Sequence, residues 1–474
     1  MVLYLALTLI IPLKSFSQFD KDYQPRAYHS KKSRVLISKL QKQLDEEWGR
    51  VHTKRRFKVY GAYEKRTNAI IDQIKAKAFI NDDSLNIFIE NILIRLNAGK
   101  QIEHGIKTVL ISRNPEVNAY CVGEGTIILN VGLLARIRNE SELAYVMAHE
   151  IAHYHLDHVK DRTVNSIESG QKKEIKKQLT EFFTGEIELD QVDQLRNLVY
   201  GLGNHSRKAE MDADSMGYVL FKQTAYDHEQ MFNMLSILDS AQHPRLSLGD
   251  DVFKDLDFSK YPFQDHWRRK RLSIYEKQGT GFIFNSDSLK THPGIQSRKD
   301  KLTAYFSRHD TRNPNIQAED YVDWVVRVAR FESAEGAFFA GRYDQCLHEA
   351  LQLKAEFPQN AYVTSLISRV LIKIYQVKDN APQFFNYFVP DYTIHYSNEL
   401  RSVNNFLHHL DKVEVGEIAY HFLNNQSNFK SSKEEHFYLL WRICELTGRE
   451  EVSKKIKATH AKKFPQGKFI SQFK

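Results

Sequence analysis

Apolar residues along this 474-residue chain follow three successive patterns. From residue 18 to about 100 they recur at helical spacing. In "DDSLNIFIENILIRLNA", Leu85, Ile87, Ile89, Ile92, Leu93 and Leu96 share most of one face behind a capping Asp83. Short β-like runs follow, "IKTVLIS" (106–112), "VNAYCV" (117–122) and "TIILN" (126–130), the last two joined as a hairpin by "GEG". Helices are predicted from about Glu140 to Lys160 and again from near Ser206. Residues 241–290 then mix prolines, aromatics and charges without a period, as a lid, a substrate loop or a disordered insertion would. A polar connector, "SRHDTRNPNI" (307–316), leads into a C-terminal third that reads as helical throughout.

That last third repeats weakly. "GRYDQCLHEALQLKAEFPQN" starts at Gly341 and "GREEVSKKIKATHAKKFPQG" at Gly448, and both run from Gly-Arg to Phe-Pro-Gln over the same distance. Gly341, Tyr343 and Pro358, then Gly448 and Pro465, fit the helix pair of a tetratricopeptide repeat, with a glycine at the inner turn and a proline after the second helix. The competing expectation is an irregular helical bundle.

Composition narrows the class. Hydrophobic content of 42% with 27% charged residues belongs to a globular protein, and the length calls for two or three domains. The net charge of +8 suits an anionic surface, but Lys and Arg are scattered and no nucleic-acid module is present, so no nucleic-acid partner is expected. Val2 to Leu13 is a short apolar run, and Ser15 and Ser17 stand as at a signal-peptidase site. Residues 1–17 are therefore read as a signal peptide. No Lys or Arg precedes the run, which keeps an uncleaved anchor open. Cys121, Cys346 and Cys444 form no disulfide or metal-ligand pattern and are expected to be small buried hydrophobes.

The specific chemistry lies in "HEIAHYHLDH" (149–158). His149 and His153, four apart, project from one helical face, where two imidazoles can reach one zinc ion. Glu150 stands beside them as a base for a water. His155 and His158 point away on an unbroken helix and are not taken as ligands. "SRKAEMDAD" (206–214) offers Glu210 as the third ligand. Asp214, one turn on, could orient a ligand imidazole.

These residues resemble the HtpX-like and CAAX-prenyl-protease-like zinc peptidases over about 115–302. The likeness is carried by Asn118–Tyr120, Gly132–Leu134, Glu142–Ala144, the His-Glu-x-x-His helix and Ser206–Asp214. The resemblance implies one zinc per chain on His149, His153 and Glu210, with Glu150 as catalytic base. It also implies a site role for His292 of "KTHPGIQSR", and substrate binding by Arg298 and by the strand Asn118, Ala119 and Tyr120. The exported, repeat-bearing, BepA-like periplasmic branch is the nearest likeness.

The expected fold is therefore α+β and mainly helical. A gluzincin-type peptidase domain with a small β-sheet (18–306) precedes an all-α, TPR-like repeat domain (317–474). The expected function is an exported, periplasmic or secreted, zinc endopeptidase acting on unfolded or unassembled envelope polypeptides. Its repeats would offer a surface for an envelope protein complex, and a peripheral membrane contact is allowed for. A chaperone or assembly scaffold with a latent zinc site is the rival from another class.

Overall fold

The structure is a computed structural model that describes residues 17–26, 30–98, 105–169, 207–240, 247–268, 295–306, 319–378 and 397–473. It divides into two compact units. One comprises Arg26–His243 and Leu272–Ala329; the other comprises Met1–Pro25, Pro244–Arg271 and Arg330–Lys474. Helices and strands are numbered along the chain from a short helix α1 (Ser17–Lys21), which lies in the second unit.

The first unit begins with two helices, α2 (Ser30–Trp48) and α3 (Arg56–Lys75). Next come strand β1 (Phe79–Ile80) and helix α4 (Asp83–Asn97). The cap of α4 is Asp82 rather than Asp83: extended at φ −126, Asp82 accepts a hydrogen bond from Leu85 N, while Asp83 already sits inside the first turn. Strands β2 (Thr108–Ser112), β3 (Ala119–Gly123) and β4 (Thr126–Asn130) fall on the short β-like runs. They build a mixed sheet of order β1-β2-β4-β3, with β2 parallel to β4 and β3 antiparallel to it. β3 is thus an edge strand, and its far side runs along the zinc-motif helix.

After a single turn, α5 (Val131–Leu134), that helix is α6 (Glu140–His155), capped by Asn139, which accepts from Glu142 N. Every residue of α6 from Glu140 to Tyr154 is buried. A helix enclosed on all sides must find partners for each polar side chain it carries, because an unpaired buried group costs about 1–3 kcal/mol. The predicted helix to Lys160 is broken. Asp157 takes a left-handed φ of 57, which Asp tolerates better than most residues, and α7 (His158–Ser169) starts in a new direction. Helix α8 (207–222), helix α9 (Gln230–Asp239) and helix α10 (Ile295–Tyr305) complete the surroundings of the site.

Most of the second unit is helical, from α11 (Glu319–Phe339), inside which the boundary between the units falls, through α12 (Tyr343–Glu356), α13 (Ala361–Val377), α14 (Asn398–His409), α15 (Lys412–Leu423) and α16 (Glu434–Leu446) to α17 (Glu450–Lys463). The two Gly-Arg segments make matching turns. Gly341 and Gly448 have φ of 72 and 71, and the following arginine N–H bonds five residues back, to Ala337 O and Cys444 O. Each turn opens a 14-residue helix that ends at Phe-Pro-Gln.

The aperiodic stretch, read from sequence as a lid or a disordered insertion, is folded over 247–268 and packs among these same helices. Phe263 stacks on Phe406, Phe253 packs against the same ring at a tilt, and the fully buried Trp267 donates to Glu414. The Glu399 carboxylate accepts from Leu248 N and Gly249 N on one oxygen and faces His348 and Gln352 with the other. Its aromatics show no period because they fill gaps between helices belonging to other parts of the chain. All three cysteines are free and buried, as expected. Among the described residues, no helix is long and apolar enough to cross a membrane.

Candidate active site

Two helices make the site. On α8, Glu210, Asp214 and Gly217 follow one another at four and three residues, so they form one stripe facing α6. Gly217 sets the approach: a Cβ placed there would lie 3.0 Å from His149 Cα and 3.1 Å from His149 N. Because those neighbours are backbone, they cannot turn aside. Gly217→Val should separate the helices, costing about 2 kcal/mol of stability and weakening zinc affinity. Urea unfolding and competition with a fluorescent chelator would measure both, and unchanged affinity would show that this spacing does not matter to the metal.

That close approach brings the three candidate ligands together. His149 Nε2 and His153 Nε2 lie 3.1 Å apart, and each stands 3.4 Å from an oxygen of Glu210. Among the described residues this trio is the cluster of His, Cys, Asp and Glu that could hold a metal ion, and all three members are buried. Zinc–ligand bonds of about 2.0–2.1 Å in a tetrahedron place ligand atoms about 3.3 Å apart. The donor set and its spacing therefore fit zinc.

Supporting contacts surround the trio. His149 Nδ1 is 2.9 Å from Asp214 Oδ1, which also accepts from Tyr145 Oη at 3.1 Å. Arg298, on α10, clamps Asp214 through two hydrogen bonds, Nε at 2.6 Å and Nη2 at 2.7 Å, and its Nη1 lies 3.2 Å from Glu210. Burial alone would raise the Asp214 carboxyl, but Arg298 and His149 hold it well below the usual range. Burial likewise works against a charged His149, yet Asp214 and Glu210 outweigh it and pull the imidazole up to about 10. A positive charge is thus electrostatically favoured at this point.

His158, set aside in the sequence reading, lies 3.0 Å from His153, Nδ1 to Nδ1. Five residues along an unbroken helix would put the two side chains about 140° apart; the left-handed turn at Asp157 folds His158 back. Burial and the neighbouring His153 push His158 down to about 4, so it is neutral near pH 7 and can accept a hydrogen bond from His153 Nδ1–H. That contact would leave His153 Nε2 to face the metal. Tyr145 could have been read from its place one turn before His149; His158 and Gly217 carried no local signal.

Glu150, 3% exposed, accepts a hydrogen bond from Cys121 N on edge strand β3 at 2.7 Å. This bond ties the base to the strand expected to bind substrate. Of that strand, Ala119 is buried, Asn118 half-buried and Tyr120 exposed. Arg298 requires a correction. It is 2% exposed and its guanidinium is spent on Asp214 and Glu210, so it holds the metal-site carboxylates rather than reaching a substrate. His292 lies outside the described residues.

A His-His-Glu trio on two crossed helices, with a glutamate beside the first histidine, defines a metallopeptidase-type centre. Residues 83–305, a little under half of the chain, match the model of Peptidase family M48. Among curated proteins it is similar to the beta-barrel assembly-enhancing protease of Escherichia coli (strain K12), 26% identical over 312 residues, 63% of this chain and 61% of that protein. It is also similar to the mitochondrial metalloendopeptidase OMA1 of Arabidopsis thaliana, 30% identical over 119 residues, 25% of this chain and 23% of that protein. The OMA1 protein of Schizosaccharomyces pombe is 25% identical over 164 residues, 33% of this chain and 44% of its own. The chain thus spans less than two thirds of the length of these relatives.

Proposed function

We propose that the chain is an exported zinc endopeptidase that cleaves misfolded or unassembled envelope polypeptides. The observation that carries the reading is the buried His149, His153 and Glu210 trio, with Glu150 tethered to an edge strand. His149, His153 and Glu210 would hold one zinc ion, which when bound polarises a carbonyl and makes a water more acidic. Glu150 takes the proton of the attacking water at its carboxylate and returns it to the leaving amine nitrogen. Asp214 and His158 orient the two imidazoles, and Arg298 holds Asp214 ionised while lying beside Glu210. An extended peptide would pair with the edge of β3, where only unfolded chain can lie.

Export is supported by the apolar run at residues 2–13. A TPR-like character for the C-terminal helices is supported by the twin glycine turns at Gly341 and Gly448, and such helices would present substrate or an envelope complex. Restriction to assembly-defective envelope proteins is supported by the likeness to the beta-barrel assembly-enhancing protease.

The test is metal removal. Full-length protein stripped with a chelator should lose cleavage of an unfolded polypeptide and regain it with one equivalent of zinc per chain. Cleavage that survives chelation to below a tenth of an equivalent of metal would overturn the reading.

A further inference from the structure

A second surface of the first unit is not used by the site. Residues 48–63, between Glu47 and Glu64, hold Arg50, Lys54, Arg55, Arg56, Lys58 and His52 and no Asp or Glu. The end of α2, the turn after it and the start of α3 gather three aromatic rings here. Trp48 lies 5.7 Å from Phe57 and 4.7 Å from Tyr60, and the Arg56 guanidinium lies over the Trp48 ring at 4.0 Å. Phe57 is 84% exposed, the most of any large apolar side chain among the described residues. Val51 and Val59, on either side of it in sequence, are buried with Leu44 and Tyr63, so the backbone that presents Phe57 is fixed from below. His52, Lys54, Arg55 and Lys58 are exposed around it. Glu47 and Asp157, the carboxylates beneath, are bound by Arg50.

An apolar tip ringed by cations suits one kind of phase boundary. Nucleic acid would be met by flat aromatic faces along a groove; here a phenyl ring protrudes instead. A bilayer offers phosphate at its surface and methylene just beneath, which matches basic residues around an aromatic tip. We propose that this face docks the protein on an anionic phospholipid bilayer. Phe57 enters the boundary between headgroups and acyl chains, while Lys54, Arg55 and Lys58 meet the phosphates. Arg50 stacks on Tyr154 at 5.1 Å and pairs with Asp157, both at the end of the metal-site helix. Docking would therefore hold the catalytic unit beside the membrane surface. The inference does not depend on the peptidase reading, since binding is measured without turnover.

The experiment is flotation of the full chain with vesicles of phosphatidylglycerol and phosphatidylcholine in equal parts, against phosphatidylcholine alone. Binding is expected to the mixed vesicles and to fall as salt rises. Phe57→Ser should weaken it about tenfold, and Lys54→Glu with Lys58→Glu at least about thirtyfold, with helix content and bound zinc unchanged. Equal binding to both vesicle types, full binding by the variants, or binding to an oligonucleotide but not to vesicles would overturn the proposal. Should a variant lose helix content, Phe57→Trp decides. Its added emission should shift to the blue on mixing with the anionic vesicles, and an unchanged spectrum would end the idea.

Discussion

Glu150→Gln is expected to lower cleavage of an unfolded polypeptide by about a thousandfold while leaving one zinc bound per chain. The amide keeps the size of the carboxylate and can still meet Cys121 N through its oxygen, so the contact between α6 and β3 survives. It cannot accept a proton at neutral pH, so the attacking water loses its base and the leaving amine its acid. His149, His153 and Glu210 are untouched, which separates proton transfer from metal binding. Single-turnover cleavage with zinc measured on the same sample is the appropriate assay. Equal rates for the variant and the wild type would remove Glu150 from the mechanism and favour the scaffold reading.

The second large effect is on stability. Arg298→Leu removes the buried cation that clamps Asp214 and neighbours Glu210, leaving two carboxylates buried at 1% and 3% exposure. Breaking such a pair from one side costs about 3–5 kcal/mol. The metal-free variant should therefore unfold at markedly lower urea concentration than the metal-free wild type. Zinc should recover part of the loss, since a cation that binds only the folded state stabilises it by an amount that grows with the logarithm of its concentration over its Kd. A loss below about 1 kcal/mol, accompanied by a raised KM, would instead mark Arg298 as a surface residue that meets substrate.

Both effects come from the same arrangement. Glu150 is held by edge strand β3, and Asp214 and Glu210 are held by Arg298, 84 residues beyond Asp214 on α10. Helix α6 is enclosed, and its buried polar side chains draw partners from elsewhere: Glu140 from Arg95 and Tyr226, Ser141 from Asp227, Tyr145 from Asp214, Glu150 from Cys121 and Tyr154 from Glu47. Damage to any of these partners should therefore appear as lost stability as well as lost metal.

Much of the site was legible from residue spacing. His149 with His153, and Glu210 with Asp214, are local facts: four residues on an α-helix always share a face, whatever the rest of the chain does. The strands and their hairpin were legible for a similar reason, since short β-branched apolar runs and the Gly-Glu-Gly turn between two of them are local features too. The interruption of the helix at Asp157 was not. A left-handed residue is held there by Arg50, more than a hundred residues earlier, and one such residue voids helical-wheel arithmetic for everything beyond it. His158 was excluded as a ligand and lies outside the metal trio, but its reach back to His153 could not be read from that arithmetic.

What the sequence by itself determined, then, is the helical class of the chain, its small sheet and the residues able to bind a metal. Tertiary structure alone decided how those residues are held. It turned Arg298 inward to the carboxylates, gave Glu150 a backbone N–H from β3, and let α8 approach α6 at Gly217. It also folded residues 247–268 among the C-terminal helices. The physical reason is the range of the interactions. Periodicity reports which side of an element is apolar, whereas a buried charge is satisfied by whichever group the packed core brings within about 3 Å.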